Sequence, residues 1–152
     1  MKRGELLSKM IAHAAVAHQG QLDRGGKPYI LHVLKVLHNI GNTDDEELQC
    51  IAIGHDLFED TKTSEEDLRN LGCSDRVIEG IYGVTKMPGE SYSQYKEKVK
   101  LSLDRILVKM ADIRHNTDIR RLKGVTQKDL DRQARYQEFY AELEAEKNQF
   151  TS

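Results

Sequence analysis

Apolar residues near the start of the chain recur every three or four positions. Leu6, Leu7, Met10, Ile11, Ala14 and Ala15 would share one helix face, and the spacing predicts a first helix ending near Gln19-Gly20. After the loop QLDRGGKP, residues Ile30 to Ile40 predict a second helix with Leu34, Leu37 and His38 on one side and Gly41 as its stop. The alternation of a half-buried strand is absent there. A third helix is expected after Thr43, with acids in its first turn where the macrodipole favours them, running through LQCIAIGHDLFED. As the most apolar segment it should be central.

Thr63 with Glu66, or Ser64 with Asp67, would cap a short helix that ends at Leu71-Gly72, and another short helix follows through Val77, Ile78 and Ile81. TKMPGESYSQY reads as a loop opening into a helix near Ser93, and Leu103 to Leu122 as one long uninterrupted helix. Thr126 with Asp129 would cap a last helix whose apolar stripe is Leu130, Tyr136, Phe139, Tyr140 and Leu143, with EAEKNQFTS fraying beyond it. Pro28 and Pro88 stand beside glycines in GGKPY and KMPGE and mark loops. With no repeat, linker or second core in the pattern, residues 1–152 read as a single all-helical (all-α) domain.

Composition narrows the function. The 152 residues carry 23 basic and 25 acidic side chains, a net charge of −2, so neither a basic nucleic-acid surface nor an acidic tail is present. Mean hydropathy of −0.64 leaves no stretch able to span a bilayer. The start MKRGELLSKM breaks its apolar run at Ser8 and Lys9, so no signal-peptide core forms and a cytoplasmic protein is expected. Cys50 and Cys73 fit no metal-finger spacing and read as small apolar residues. The last helix's stripe, set among mixed charges, reads as core or as a contact between identical copies, and leaves the oligomeric state open.

Chemistry is concentrated at HDLFED. His55, Asp56, Glu59 and Asp60 lie in an apolar segment, where an imidazole and three carboxylates are costly unless something pairs with them. On a continuous helix His55 would meet Glu59, and Asp56 would meet Glu59 and Asp60. A divalent cation is the simplest compensating partner, since mixed nitrogen and oxygen donors suit Mn, Fe or Zn. His55 and Asp56 supply two ligands; His32 and Asp112 are the best candidates for the others, leaving positions open to water.

The ordered set GQLDRGGKPYILH, HDLFEDT and VKMADIRHN resembles the HD-domain phosphohydrolases, most closely the Rel/SpoT-type (p)ppGpp hydrolase domain and the stand-alone small alarmone hydrolases. The resemblance runs from about Ala12 to Leu122. It implies an all-helical HD-type bundle in which His32, His55, Asp56 and Asp112 hold one Mn²⁺. It also implies that Glu59 and Asp60 are the catalytic acidic pair and that Asn116 lies near a bound nucleotide. Such a cation would lower the pKa of its water and offset charge at phosphorus, while the acidic pair manages protons. A small phosphorylated nucleotide, with guanosine 3′,5′-bis(diphosphate) first, is the implied substrate. An HD-type 5′-nucleotidase and a nucleotide-binding module without turnover are the rival readings.

Counting back from His32 puts Asp23-Arg24 where that family carries a basic pair against the guanine base. Arg24 remains available to stack on a base or bind phosphate, whereas Asp23 would repel a highly anionic ligand. Lys109, Arg120 and Arg121 could add positive charge around such a ligand; for the two arginines a solvated helix face is the preferred reading. His115 reads either as a donor behind the metal ligands or as helix packing. His13 and His18 carry no expected catalytic role, and His38 reads as packing or surface. Tyr82, Tyr92 and Tyr95 lack the interleaved basic residues of an RNA-binding surface, so nucleic acid is not an expected partner.

Overall fold

The computed structural model describes residues 1–152 and contains helices and turns, with one isolated bridge between Leu22 and Pro28. In chain order the helices are α1 (Glu5–Ala17), α2 (Ile30–Asn39), α3 (Glu46–Gly54), α4 (Leu57–Asp60), α5 (Glu65–Leu71), α6 (Asp75–Gly83), α7 (Tyr92–Val99), α8 (Leu103–Asn116) and α9 (Gln127–Thr151). A 3-10 turn, Ile119–Arg121, separates the last two. No helix is long and apolar enough to cross a membrane.

Side-chain caps set most helix starts. Ser64 with Asp67, Ser91 with Gln94, and Thr126 with Asp129 form reciprocal capping boxes for α5, α7 and α9. Asp45, Ser74 and Ser102 accept from the first turns of α3, α6 and α8.

α3 is the central rod. Cys50, Ile51, Ala52 and Ile53 are all fully buried, with α1, α2, α6 and α8 packed around them. Together with Met10, Val33, Val36, Ile81 and Val108 they belong to a cluster of 18 buried apolar residues. Each fully buried Ile or Leu adds on the order of 1.5–3 kcal/mol.

The structure departs from the sequence expectations in several places. Ala15 and Leu130, expected on the apolar faces of the first and last helices, are exposed, and α9 runs to Thr151 through the segment expected to fray. Instead of continuing through HDLFED, α3 ends at Gly54, and His55 and Asp56 form a break before α4. A β-carbon on Gly54 would lie 2.5 Å from Ile81 Cδ1, so the rod approaches α6 closely just where it stops. The long helix expected to reach Leu122 ends at Asn116 and is followed by the 3-10 turn. There Thr117 Oγ1 donates to the Ile113 carbonyl and Asp118 caps the new turn. In α2 the buried face is His32, Val33 and Val36, while Leu34 and His38 are exposed. A second cluster also exists: Tyr95, Val99, Ile106, Met110, Ile113, Phe139 and Leu143 pack α7 and α9 against the far side of α8. Because Val108 and Ala111 of α8 belong to the larger cluster, α8 is shared by both and packs between them.

Candidate metal centre and adjoining pocket

Three elements that pack on one another, α2, the α3–α4 break and α8, bring their polar residues to one buried point. α2 supplies His32, the break supplies His55 and Asp56, and α8 supplies Asp112. His32 and His55 are each almost wholly buried. His32 Nε2 lies 2.9 Å from Asp112 Oδ1 and 3.9 Å from Asp56 Oδ2. His55 Nε2 lies 2.9 Å from Asp56 Oδ2 and 3.5 Å from Asp112 Oδ1. His32, His55 and Asp56 form a group able to hold a metal ion, and Asp112 stands beside both imidazoles.

The hydrogen bonding of His55 tests whether these residues fit a cation. Its Nδ1 lies 2.7 Å from the Ala52 carbonyl, which can only accept, so the ring proton sits on Nδ1. That leaves the buried Nε2 with a lone pair, without a hydrogen-bond partner, facing two carboxylates. A proton or a cation is needed there. Bonds of ~2.0–2.2 Å at right angles would place neighbouring ligand atoms about 3 Å apart, close to the shorter spacings observed. The donor set, two imidazole nitrogens and two carboxylates, therefore fits a divalent ion.

Outer contacts orient this group. The Tyr29 hydroxyl donates to Asp56 Oδ2. Lys109 Nζ lies 3.0 Å from Asp112 Oδ2 and over the Tyr95 ring at 5.4 Å. Asn116 Nδ2 donates to Asp112 Oδ1 at 3.0 Å, and its Oδ1 accepts from Arg121. His32 Nδ1 meets His115 Nδ1 at 2.8 Å. Burial pushes the His55 imidazole down, but the Asp56 and Asp112 carboxylates outweigh it and lift it well above its ordinary value. Burial likewise opposes ionised Asp112, yet Lys109 and the two imidazoles hold its carboxyl well below the usual range. Burial and the Arg121 charge push His115 down to about 4, leaving it a neutral imidazole near pH 7.

Glu59 and Asp60 sit at the outer edge on α4. Although both side chains reach solvent, the surrounding protein raises both carboxyls, with the Asp56 charge adding to the effect. The helix break overturns the expected His55–Glu59 pairing: Glu59 Oε1 accepts from the Lys86 amide instead.

A cavity of about 230 Å³ adjoins the centre, lined by Arg24, Tyr29, Asn116, Arg121, Arg132 and Tyr136 among others. It is smaller than the ~300 Å³ lower end for whole drug-sized ligands, and its size suits one ring system. Asp23, expected to repel an anion, is instead neutralised: Oδ2 accepts from Arg121 at 3.1 Å and Oδ1 from the Lys27 amide at 2.9 Å. Arg120 is the solvated cation that was expected, but Arg121 is only 17% exposed and holds Asp23, Asn116 and the His115 carbonyl. Sequence reasoning missed Tyr29 as a partner of Asp56. The signal was its position one helical turn before His32 in PYILH.

The sequence is 30% identical over 114 residues to the GTP pyrophosphokinase of Myxococcus xanthus, covering 72% of this chain and 15% of that protein. It is 34% identical over 122 residues to the guanosine-3′,5′-bis(diphosphate) 3′-pyrophosphohydrolase of Vibrio cholerae, covering 71% and 17%. The chain thus spans only about a sixth of the length of these relatives. A solved structure described as a metazoan ortholog of SpoT that hydrolyses ppGpp matches with a TM-score of 0.76 at 22% identity, covering 98% of this chain and 95% of the other. That likeness shows the same all-helical fold. No protein-family model matches the chain.

Proposed function

We propose that this chain, which is homologous to a segment of the SpoT- and Rel-type proteins, is a metal-dependent phosphohydrolase that acts on guanosine 3′,5′-bis(diphosphate) or a close nucleotide relative. The observation that carries the reading is the buried His55 Nε2, without a hydrogen-bond partner and facing two carboxylates, a charge arrangement that a divalent cation completes. His32, His55, Asp56 and Asp112 would hold the ion, with Mn²⁺ the proposed metal. When bound, such an ion polarises water and offsets charge at phosphorus.

The remaining roles belong to the protein. Glu59 and Asp60, at the rim with raised carboxyl values, are suited to taking a proton from attacking water and returning one to the departing oxygen. Water attacks the 3′-linked phosphorus, the bond to O3′ breaks, and GDP and pyrophosphate result. The adjoining cavity takes the base: its arginines are already matched, Arg121 by Asp23 and Arg132 by Asp129, so it suits an uncharged ring better than a polyphosphate. Arg24, 65% exposed at the mouth and held only by a 3.9 Å contact with the Asp129 carboxylate that it shares with Arg132, is placed to cover that ring, and Asn116 stands between the ring and the proposed metal ligands. Cys50 and Cys73 are buried thiols that fit a reducing cytoplasm.

Incubation of the Mn²⁺-loaded protein with ppGpp, followed by anion-exchange resolution of the nucleotides, tests the reading. Release of GDP and pyrophosphate by the parent but not by Asp56→Ala is the expected outcome. A metal-loaded parent that leaves ppGpp intact would refute the substrate assignment.

A further inference from the structure

We propose that His115 is a positioning residue that selects the tautomer of His32, keeping His32 Nε2 free to bind the metal. The inference rests on the metal-centre reading above and extends it to a residue outside the ligand set.

The geometry differs from that around His55. His55 Nδ1 faces a backbone carbonyl, an acceptor only, so its tautomer is fixed by the main chain. His32 has no such anchor: its Nδ1 meets a second imidazole nitrogen, His115 Nδ1, at 2.8 Å. Only one hydrogen fits between two nitrogens at that distance. If His32 donates it, a neutral His32 carries its lone pair on Nε2, the atom beside Asp112 Oδ1 and Asp56 Oδ2. If His115 donates it, the His32 proton sits on Nε2 and points at Asp112, and the nitrogen cannot ligate. Ligation through Nε2 therefore requires His115 Nδ1 to be the acceptor, with the His115 proton on its own Nε2.

The surroundings hold His115 to that task. Its ring lies nearly in the plane of the His32 ring, centroids 5.0 Å apart and 17° between planes, the edge-to-edge arrangement that a hydrogen bond between ring nitrogens requires. Its backbone carbonyl accepts from Arg121 Nη1 at 3.2 Å, so the end of α8 is tied to the turn that follows. α8 thus contributes twice to the centre: Asp112 directly and His115 through His32.

Two variants of the full chain separate the hydrogen bond from the packing of the ring. His115→Phe keeps a ring against His32 and removes the acceptor; His115→Asn places a side-chain oxygen where Nδ1 was. Titration calorimetry with Mn²⁺ should show about 10–100-fold weaker binding for the Phe variant, the range associated with loss of a group behind a metal ligand. Binding should be largely restored in the Asn variant, with metal-free melting temperatures of both close to the parent's. In the parent loaded with diamagnetic Zn²⁺, ¹⁵N-resolved NMR should place the His32 proton on Nδ1, a readout that stands even if a variant fails to fold. Parent-like Mn²⁺ affinity in His115→Phe, equal weakening in both variants, or an unprotonated His32 Nδ1 in the Zn²⁺-loaded parent would each overturn the proposal. Those results leave the metal reading intact, whereas absence of Mn²⁺ binding by the parent would overturn both.

Discussion

Replacing Lys109 by Met removes one charge and little volume from the layer behind the proposed metal ligands. The ammonium lies 3.0 Å from Asp112 Oδ2, and the two side chains are 15% and 7% exposed. Burial disfavours the charged amine, but Asp112 outweighs it and holds the Lys109 value well above the ordinary one, so the pair is ionic in the metal-free protein. Removing one partner of a buried pair costs roughly 3–5 kcal/mol, because the other charge is left uncompensated. Asp112 keeps hydrogen bonds from Asn116 and contact with His32, which argues for the low end, about 3 kcal/mol. For a chain of this size each kcal/mol shifts the melting temperature by about 2–4 °C, so the metal-free variant should melt about 6–12 °C below the parent.

A bound cation supplies Asp112 with another positive partner, and the deficit should then fall to less than half. Circular-dichroism melts in EDTA and in saturating Mn²⁺ measure both quantities. A metal-free Lys109→Met that melts within about 2 °C of the parent would refute the ion-pair argument. An equal deficit with and without Mn²⁺ would show that the loss is one of packing, not of charge compensation.

Other outcomes follow from the same geometry. Glu59→Gln should retain calorimetric Mn²⁺ binding and lose ppGpp turnover by about 100-fold or more, whereas Asp56→Ala should lose both. Full turnover in Glu59→Gln would remove it from proton transfer. A β-carbon on Gly25 would lie 2.0 Å from the Arg121 carbonyl oxygen, a backbone atom that cannot swing away. Gly25→Ala should therefore push the Arg24 loop off the cavity wall and raise KM severalfold with a smaller change in kcat; an unchanged KM would show that the loop does not contact substrate. The Asp112 carboxyl is held below its ordinary 3.8, so its contribution to stability is complete above that value and is lost as pH falls through the lower folded value. Urea midpoints of the metal-free protein should fall below pH about 4, and fall less steeply in Asp112→Asn.

Much of this arrangement is legible in the sequence alone, for physical reasons that differ from place to place. The capping boxes at Ser64, Ser91 and Thr126 are local, so three helix starts could be read or nearly read from neighbouring residues. The ligand candidates were legible because imidazoles and carboxylates in apolar segments demand partners, and the structure does bring His32, His55, Asp56 and Asp112 together. Long-range pairing was not legible. Asp23 and Arg121 are 98 positions apart, so each looked like a free charge; together they neutralise one another at the cavity wall. The second apolar cluster was missed because its residues come from α7, α8 and α9: the α9 stripe was legible, but its partners Tyr95, Val99, Ile106, Met110 and Ile113 lie on other helices far from it in the sequence.

The break at His55-Asp56 shows why local rules failed at the centre. Nothing in LQCIAIGHDLFED forbids a helix, and helical spacing there would have set His55 over Glu59. The observed chain closes α3 at Gly54, where α6 approaches too closely for a β-carbon, and Asp56 adopts φ −111° and ψ 3°. The consequence is a division of labour along six residues. His55, still at helical angles at the end of the α3 rod, and Asp56, which leaves them, turn inward to meet α2 and α8, and His55 Nδ1 donates to the Ala52 carbonyl at the helix end. Glu59 and Asp60, back in helical register on α4, remain at the rim with solvent access. A continuous helix would hold the four groups in one fixed register, whereas the break lets two of them face the buried cluster proposed to hold an ion while the other two keep the access to water that their proposed role in proton transfer requires.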